Sequence, residues 1–135
     1  MDSTKELVLV VDDEEALRQA IIEALELEGF EVHSAATAEE ALKKMSQTVY
    51  DVLITDHNLP GKPGVELLEE TLARFPETIV IMITGYGTIE TAVQAIKKGA
   101  ATRRAEPHKQ LFQGRFRGRS VVPLGLVLFH QPRRF

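Results

Sequence analysis

Residues 7–29, LVLVVDDEEALRQAIIEALELEG, decide the fold class of this chain. The first five residues are apolar and mostly β-branched, as expected of a strand buried on both faces of a parallel sheet. Asp12 and Asp13 end that run. Apolar residues then recur at helical spacing, at Leu17, Ile21 and Leu25. Gly29 follows as the residue that ends the helix. The segment therefore predicts a buried strand joined through an acidic turn to an amphipathic helix.

The same alternation of strand and helix continues to residue 100. Further strands are predicted at residues 30–34, 52–54 and 78–83. Each is followed by a stretch with an apolar helical face. Thr37 and Glu40 match a capping box at the start of the second helix, and Gly99 is predicted to end the fourth. Four such units predict an α/β fold, a doubly wound parallel sheet with helices on both faces.

The C-terminal part of the chain breaks this rhythm and carries the opposite charge. Residues 1–100 contain 8 Lys and Arg against 19 Asp and Glu, whereas residues 101–135 contain 8 Lys and Arg and one acid, Glu106. We therefore predict two segments, a core at 1–100 and an atypical basic segment at 101–135, which leaves the fifth strand and the last helix in doubt. The basic segment has three interpretations. It is a nucleic-acid contact, or a divergent strand and helix with residues 121–129 as the strand, or a stretch foreign to the fold, such as the product of a frame shift.

The 135-residue chain has a composition typical of one globular domain, with 44% hydrophobic and 27% charged residues. It contains no cysteine, which excludes disulfides and cysteine-bound metals. No apolar run approaches the ~20 residues that span a bilayer, and residues 1–6 are polar, unlike a signal peptide. We expect a cytoplasmic protein with no membrane partner.

Oxygen-bearing side chains stand at the ends of three predicted strands. Asp12 and Asp13 follow the first strand, Asp56 ends the third, and Thr84 ends the fourth. Because ligands of open parallel sheets bind beyond the carboxyl ends of the strands, we expect these side chains at one edge. Three carboxylates there repel one another unless a cation relieves them, and hard oxygen donors without cysteine favour Mg²⁺. The pattern predicts an acidic Mg²⁺ pocket with a hydroxyl group beside it.

Each of these residues also has a plainer interpretation. Asp12 and Asp13 are suited to cap the helix that follows them, since acidic residues are favoured in a first turn. Asp56 is suited to form a turn before Pro60, and Thr84 to end a strand without any further role. The combination of an Asp pair, a strand-end Asp and a strand-end Thr favours the pocket.

In these motifs the chain resembles a response-regulator receiver domain of two-component systems. The resemblance covers residues 6–100, and the stretch 82–100 is especially similar to regulators of the nitrogen-regulation type. The motifs that carry it are VVDDE at 10–14, DHNLPGKPG at 56–64, ITGYG at 83–87 and KKGA at 97–100.

The resemblance implies the flavodoxin-like strand order 2-1-3-4-5 and a role for each site residue. Asp56 would be the nucleophile that takes a phosphoryl group from a phosphohistidine of a sensor histidine kinase or phosphotransfer protein. Asp12, Asp13, Asp56 and the backbone carbonyl of Asn58 would hold Mg²⁺. The Thr84 hydroxyl would contact the phosphoryl group and switch a partner-binding surface. The chain would then be no enzyme but a phosphoacceptor that catalyses its own phosphotransfer and dephosphorylation. A second copy of the chain is a further partner, and nucleic acid would be reached only through an output domain absent from this sequence.

The sequence departs from the family on the expected fifth strand. The family has an aromatic residue there, and then a Lys-Pro pair whose Lys contacts the phosphoryl group. Counting on from Gly99 and Ala100, the aromatic position falls on Arg103 and the Lys position on Glu106. A Glu adds negative charge to an already acidic pocket. The alternative function is therefore a pseudo-receiver, a protein-binding module that phosphorylates poorly.

A third function is a Mg²⁺-dependent phosphatase with an Asp nucleophile. Such enzymes usually place a second Asp two residues after the first, and Asn58 occupies that position here, which argues against this function. The sequence identifies neither the cognate kinase nor the output. It fits a stand-alone regulator as well as a receiver cut from a longer protein.

Overall fold

The structure is a computed structural model that describes residues 5–56, 59–83, 89–105, 115–116, 119–120 and 126–129. Strands β1 to β4 lie within two residues of their predicted bounds. The elements follow one another in the order β1 (Leu7–Val11), α1 (Glu15–Leu27), β2 (Glu31–Ala35), α2 (Ala38–Gln47), β3 (Val52–Asp56), α3 (Gly64–Arg74), β4 (Ile79–Ile83), α4 (Ile89–Ala105), β5 (Arg115–Phe116), β6 (Arg119–Ser120) and β7 (Leu126–Phe129).

The first four strands form a parallel sheet in the order β2-β1-β3-β4. In its register, Val10 lies beside Ser34 on one side and Ile54 on the other, and Ile54 lies beside Ile81. The predicted α/β class and the order 2-1-3-4 are confirmed. All four strands therefore end at the same edge of the sheet, which is where the acidic residues follow β1 and end β3.

The fifth position of the sheet belongs to β7, which pairs with β4. The pairing is antiparallel, with Ile81 opposite Leu128, so the five-stranded sheet is mixed and not parallel throughout. Residues 126–129 thus supply an edge strand from within the apolar stretch at 121–129. The backbone groups along the outer side of β4 can pair with a strand of either direction, and β7 covers that edge. The short strands β5 and β6 pair with each other in a second sheet.

Helix α4 continues to Ala105, so the prediction that Gly99 ends it is wrong. Ala100 is fully buried in the core, and the residues beyond it are mainly Ala and Arg, which favour helix strongly enough to offset one interior Gly. Arg103 consequently lies in α4 and not on a fifth strand. The part of the alignment that gave Arg103 the family's aromatic position is therefore wrong as well.

Two apolar layers flank the sheet. One lies between the sheet and helices α1 and α4, and includes Ile21, Leu25, Ile81 and Ile96. The other lies under α2 and α3, and includes Leu9, Leu42, Leu53, Leu67 and Met82. The antiparallel direction of β7 permits the position of α4 beside α1. A parallel β4–α4–strand connection would be right-handed and would place α4 on the α3 face, whereas an antiparallel connection carries no such constraint.

Local sequence signals set the helix ends. Gly29 has a φ of 95° and donates its N–H to the Glu26 carbonyl at 3.0 Å, while the Phe30 N–H reaches the Leu25 carbonyl at 3.1 Å. These two bonds form a Schellman motif, as the sequence predicts for Gly29. Within the described ranges, no helix has both the length and the apolar character needed to cross a bilayer.

The predicted capping box at α2 is confirmed, with one shift. Thr37 is the N-cap, and its hydroxyl accepts the Glu40 N–H at 3.1 Å. The Glu40 carboxylate reaches back to the N–H of Ala36, at 2.8 Å, and not to that of Thr37. The first bond satisfies an amide of the first helical turn, and the second ties the residue before the N-cap to that turn.

Candidate functional site

Three carboxylates meet at the carboxyl edge of the sheet. Strands β1 and β3 are parallel neighbours, so the turn after Val11 and the last residue of β3 lie side by side. Asp12 and Asp13 occupy that turn, and Asp56 ends β3. One oxygen from each of the three carboxylates lies within 4.8 Å of the others. The structure thus brings together the three acidic residues that the sequence places at strand ends.

Asp12 is held more tightly than its neighbours. Only 4% of it is exposed, whereas Asp56 is half-buried and Asp13 is exposed. Its backbone N–H donates to the Ala35 carbonyl at 3.2 Å, which extends the pairing of β1 with β2 by one residue. Its carboxylate accepts the Glu14 N–H at 2.8 Å. The Asp12 carboxylate is therefore fixed in direction by the chain around it.

The structure agrees only in part with the interpretation that Asp12 and Asp13 cap α1. The N-cap of α1 is Glu14, and its side chain makes no capping hydrogen bond. Asp12 stands two residues before that N-cap and accepts the N-cap's own amide. Asp13, between them, is exposed. Neither Asp is the N-cap residue, so capping does not account for an acidic pair at this turn.

The electrostatics of the cluster favour a bound cation. Burial raises the pKa of the Asp12 carboxyl, and the negative charges of Asp56, Asp13 and Glu14 add to the rise, against the lowering effect of the Glu14 amide hydrogen bond. A cation would offset the charges that oppose ionisation of Asp12. Carboxylate oxygens are the donors that Mg²⁺ prefers, so the donor set fits that ion.

Arg18 belongs to this site, although the sequence reasoning did not single it out. It lies in the second turn of α1, and its Nη1 donates to the backbone carbonyl of Asp12 at 2.7 Å. The sequence offers little signal for this contact. An Arg on a helix rich in Glu is ordinarily a solvated surface residue, and only the path of the β1–α1 turn brings the carbonyl within its reach.

Three residues to which the sequence analysis gives a role lie outside the described residues: Asn58, Thr84 and Glu106. The proposed roles of the Asn58 carbonyl, the Thr84 hydroxyl and the Glu106 side chain therefore stay predictions. The three aspartates carry the geometric argument for the site.

A comparison with known protein families assigns the chain. The family model described as "Response regulator receiver domain" matches residues 8–103. The chain belongs to that family. The family predicted from the motifs is therefore confirmed. In this receiver domain, the aspartate cluster lies at the β1–α1 turn and the end of β3. The family match extends three residues beyond the division predicted at residue 100, and that division stays a prediction.

Curated relatives place the receiver domain among regulators of the nitrogen-regulation type. It is 42% identical over 100 residues to the C4-dicarboxylate transport transcriptional regulatory protein DctD of Rhizobium meliloti, covering 74% of the chain and 22% of DctD. It is 46% identical over 95 residues to a putative response regulator, NtrX-like, of Rickettsia felis, covering 69% of the chain and 20% of that protein. The chain thus spans about a fifth of the length of these relatives.

Solved structures share the same fold. The response regulator protein TrrA of Thermotoga maritima, solved in complex with Mg(2+)-BeF, is 38% identical to this receiver domain, with a TM-score of 0.58. The similarity covers 61% of this chain and 71% of TrrA. The shared fold includes the parallel sheet that positions the aspartates at one edge.

Proposed function

We propose that the chain accepts a phosphoryl group on Asp56 in a Mg²⁺-dependent reaction and thereby switches a surface that a partner recognises. The observation that carries the proposal is the convergence of the Asp12, Asp13 and Asp56 oxygens within 4.8 Å at the carboxyl edge of the sheet. A phosphoacceptor needs a nucleophilic oxygen beside groups that hold a cation, and this edge offers both.

In the proposed transfer, a carboxylate oxygen of Asp56 attacks the phosphorus atom of a phosphohistidine in line with the P–N bond. The new P–O bond forms as the P–N bond breaks, and the electron pair stays with the imidazole nitrogen, which takes up a proton. Asp56 is the last residue of β3 and pairs in register with Ile83. This pairing keeps its backbone still, so that a docked donor meets the oxygen in one orientation.

Asp12 and Asp13 would hold Mg²⁺, together with Asp56. When bound, Mg²⁺ offsets negative charge on the phosphoryl oxygens during transfer. Asp12 presents a carboxylate already oriented by the Glu14 amide, and Asp13 presents one that is open to solvent. The complex of TrrA with Mg(2+)-BeF supports this assignment, because that relative has the same fold.

The partners and setting of the reaction are part of the proposal. Family membership supports a sensor histidine kinase or a phosphotransfer protein as donor, and a second copy of the chain as a further partner. The relatives are several times longer than this chain, so contact with nucleic acid is assigned to an output domain and not to these residues. We propose a cytoplasmic location, where such kinases present their phosphohistidine.

The test is phosphorylation by acetyl phosphate with MgCl₂, followed by intact-mass measurement. The wild-type chain should gain the mass of one phosphoryl group, and Asp56→Asn should gain none. Asp51→Asn is the matched control, because Asp51 immediately precedes the opposite end of β3 and its carboxylate accepts the Leu7 N–H at 2.8 Å. An Asn can accept the same bond, so this variant should be phosphorylated like the wild type.

The outcomes separate the candidate functions. No mass gain in the wild type, with Mg²⁺ binding intact, would replace the proposal with the pseudo-receiver. Rapid multiple turnover on phosphate esters would indicate a phosphatase. A gain that persists in Asp56→Asn would refute Asp56 as the acceptor. A Glu106→Lys variant tests the family Lys position in the same assay, and unchanged phosphorylation would refute that placement.

A further inference from the structure

The backbone of Asp12 is secured on both sides as the chain leaves the sheet. Val11 is the last residue of β1 to pair with β2 and β3, opposite Ala35 and Thr55. The Asp12 N–H still reaches the Ala35 carbonyl, but the Asp12 carbonyl lies past both ladders. The Nη1 atom of Arg18 donates a hydrogen bond to that carbonyl oxygen at 2.7 Å. A side chain from α1 thus replaces the strand partner that the sheet no longer offers.

The need for such a contact follows from burial and charge. A buried carbonyl without a donor costs free energy comparable to a lost hydrogen bond, and Asp12 is 4% exposed. The carboxylate of Asp12 is also repelled by Asp56 and Asp13, which would push the turn outward. A charged donor makes a stronger hydrogen bond than a neutral one, so Arg18 opposes that movement effectively.

The contact also couples α1 to the cluster. Arg18 lies within α1, while Ile21 and Leu25 on the same helix are buried in the core between α1, α4 and the sheet. The helix is therefore a rigid base from which the guanidinium reaches back to the turn. The guanidinium donates to the backbone carbonyl of Asp12, so this bond does not occupy the Asp12 carboxylate oxygens.

We propose that Arg18 is a positioning residue for divalent-cation binding. By holding the Asp12 carbonyl, it keeps the Asp12 and Asp13 carboxylates at the spacing from Asp56 that a cation requires. The inference rests on the proposed function, since it takes this cluster to be the cation site. It assigns Arg18 no contact with the cation or with the phosphoryl group.

The test measures the Mg²⁺ dissociation constant by isothermal titration calorimetry at a temperature where every variant is folded. Arg18→Met removes the donors and keeps an apolar side chain, and it should bind Mg²⁺ about tenfold more weakly, equivalent to about 1.4 kcal/mol. Arg18→Lys keeps a charged donor and should recover part of the loss. Arg74→Met is the matched control, because Arg74 lies at the end of α3, where it pairs with Glu70 at 3.7 Å. It should bind like the wild type.

A purely structural role for Arg18 would give a different result. The melting temperature in EDTA would then fall in Arg18→Met, while the Mg²⁺ dissociation constant of the folded protein stayed within about twofold of the wild type. That outcome would overturn the proposal. If Arg18→Met does not unfold cooperatively, Arg18→Gln replaces it, with the same weakening expected and the same outcome against it.

The experiment also separates this inference from the proposed function. Weakened Mg²⁺ binding in Arg18→Met, in a protein that acetyl phosphate does not modify, would leave the Arg18 role standing and remove the phosphoacceptor role. Unchanged Mg²⁺ binding in Arg18→Met, in a protein that is phosphorylated on Asp56, would remove the Arg18 role and leave the phosphoacceptor role standing. A wild-type chain that binds no Mg²⁺ would overturn the Arg18 role and the metal site together.

Discussion

The substitution Asp12→Asn should stabilise the metal-free protein, although it removes one carboxylate from the proposed cation site. Burial, and the charges of Asp56, Asp13 and Glu14, raise the pKa of the Asp12 carboxyl in the folded state. Ionised Asp12 therefore lowers the free energy of unfolding wherever the pH lies above that raised pKa. An Asn removes the charge, and its side-chain oxygen still accepts the Glu14 N–H.

The magnitude can be worked from the distance to Asp56. In the unfolded chain these residues are far apart, so their repulsion is a property of the folded state. At 4.8 Å, the largest separation of the paired oxygens, two unit charges repel by about 0.9 kcal/mol in bulk water and about 3.5 kcal/mol at an effective dielectric constant of ~20. We expect the free energy of unfolding to rise by about 1–2 kcal/mol, which raises the melting temperature of a chain of this size by about 3–8 °C.

The assay is urea unfolding followed by circular dichroism, at pH 7, with EDTA and then with MgCl₂. In EDTA, Asp12→Asn should unfold at a higher urea concentration than the wild type. Added Mg²⁺ should stabilise the wild type and have a smaller effect on the variant, because binding to the folded state raises its stability. Glu26→Gln, which removes one exposed acid on α1, is the control and should change neither value.

The pH dependence gives a second check on the same reasoning. The advantage of Asp12→Asn should be fully present above the raised pKa of Asp12. It should shrink as the pH falls through that value and vanish below about 3.9, where the carboxyl is protonated in both states. A variant that is less stable than the wild type in EDTA at pH 7 would refute the account, because the hydrogen bonds of Asp12 would then outweigh its electrostatic cost.

Three further predictions concern the scaffold, and urea unfolding measures each of them. Leu25→Ala should lower the free energy of unfolding by about 2–5 kcal/mol, because Leu25 is fully buried; Leu27→Ala, at a side chain that is 89% exposed, should leave it nearly unchanged. Equal losses from these two substitutions would contradict the burial of α1. Gly29→Ala should cost about 1–2 kcal/mol, since φ is 95° there, and a neutral effect would mean that the helix ends differently. Thr37→Ala should cost about 1 kcal/mol through loss of the bond to the Glu40 N–H, and no cost would show that the cap is dispensable.

Local signals were sufficient for most of the scaffold. The apolar run at 7–11 has no polar face, so it had to be buried on both sides, and β1 is an interior strand between β2 and β3. Gly29 and Thr37 act through bonds to residues within a few positions, so their roles follow from sequence alone. The convergence of Asp12, Asp13 and Asp56 follows from strand direction once the sheet is parallel.

The errors arose where distant contacts outweigh local preference. Gly99 has a weak helix propensity, but Ala100 beside it is buried in the core that α1 shares with α4, and the helix continues to Ala105. The direction of β7 could not be foreseen either. Strand pairing here joins Leu128 to Ile81, which are 47 positions apart, and either direction would cover the edge of β4.

The sequence by itself determined the succession of strands and helices along the chain, the parallel direction of the first four strands and the identity of the three acidic residues, because periodicity, helix caps and strand ends are local properties of the chain. Only the tertiary structure decided that α4 shares a face with α1, that β7 runs antiparallel to β4, and that Arg18 holds the carbonyl of Asp12. Each of these three features depends on which groups remain exposed or unpaired after the sheet has assembled. Packing and hydrogen bonding decide this, between segments that are distant in the chain or that a turn brings together.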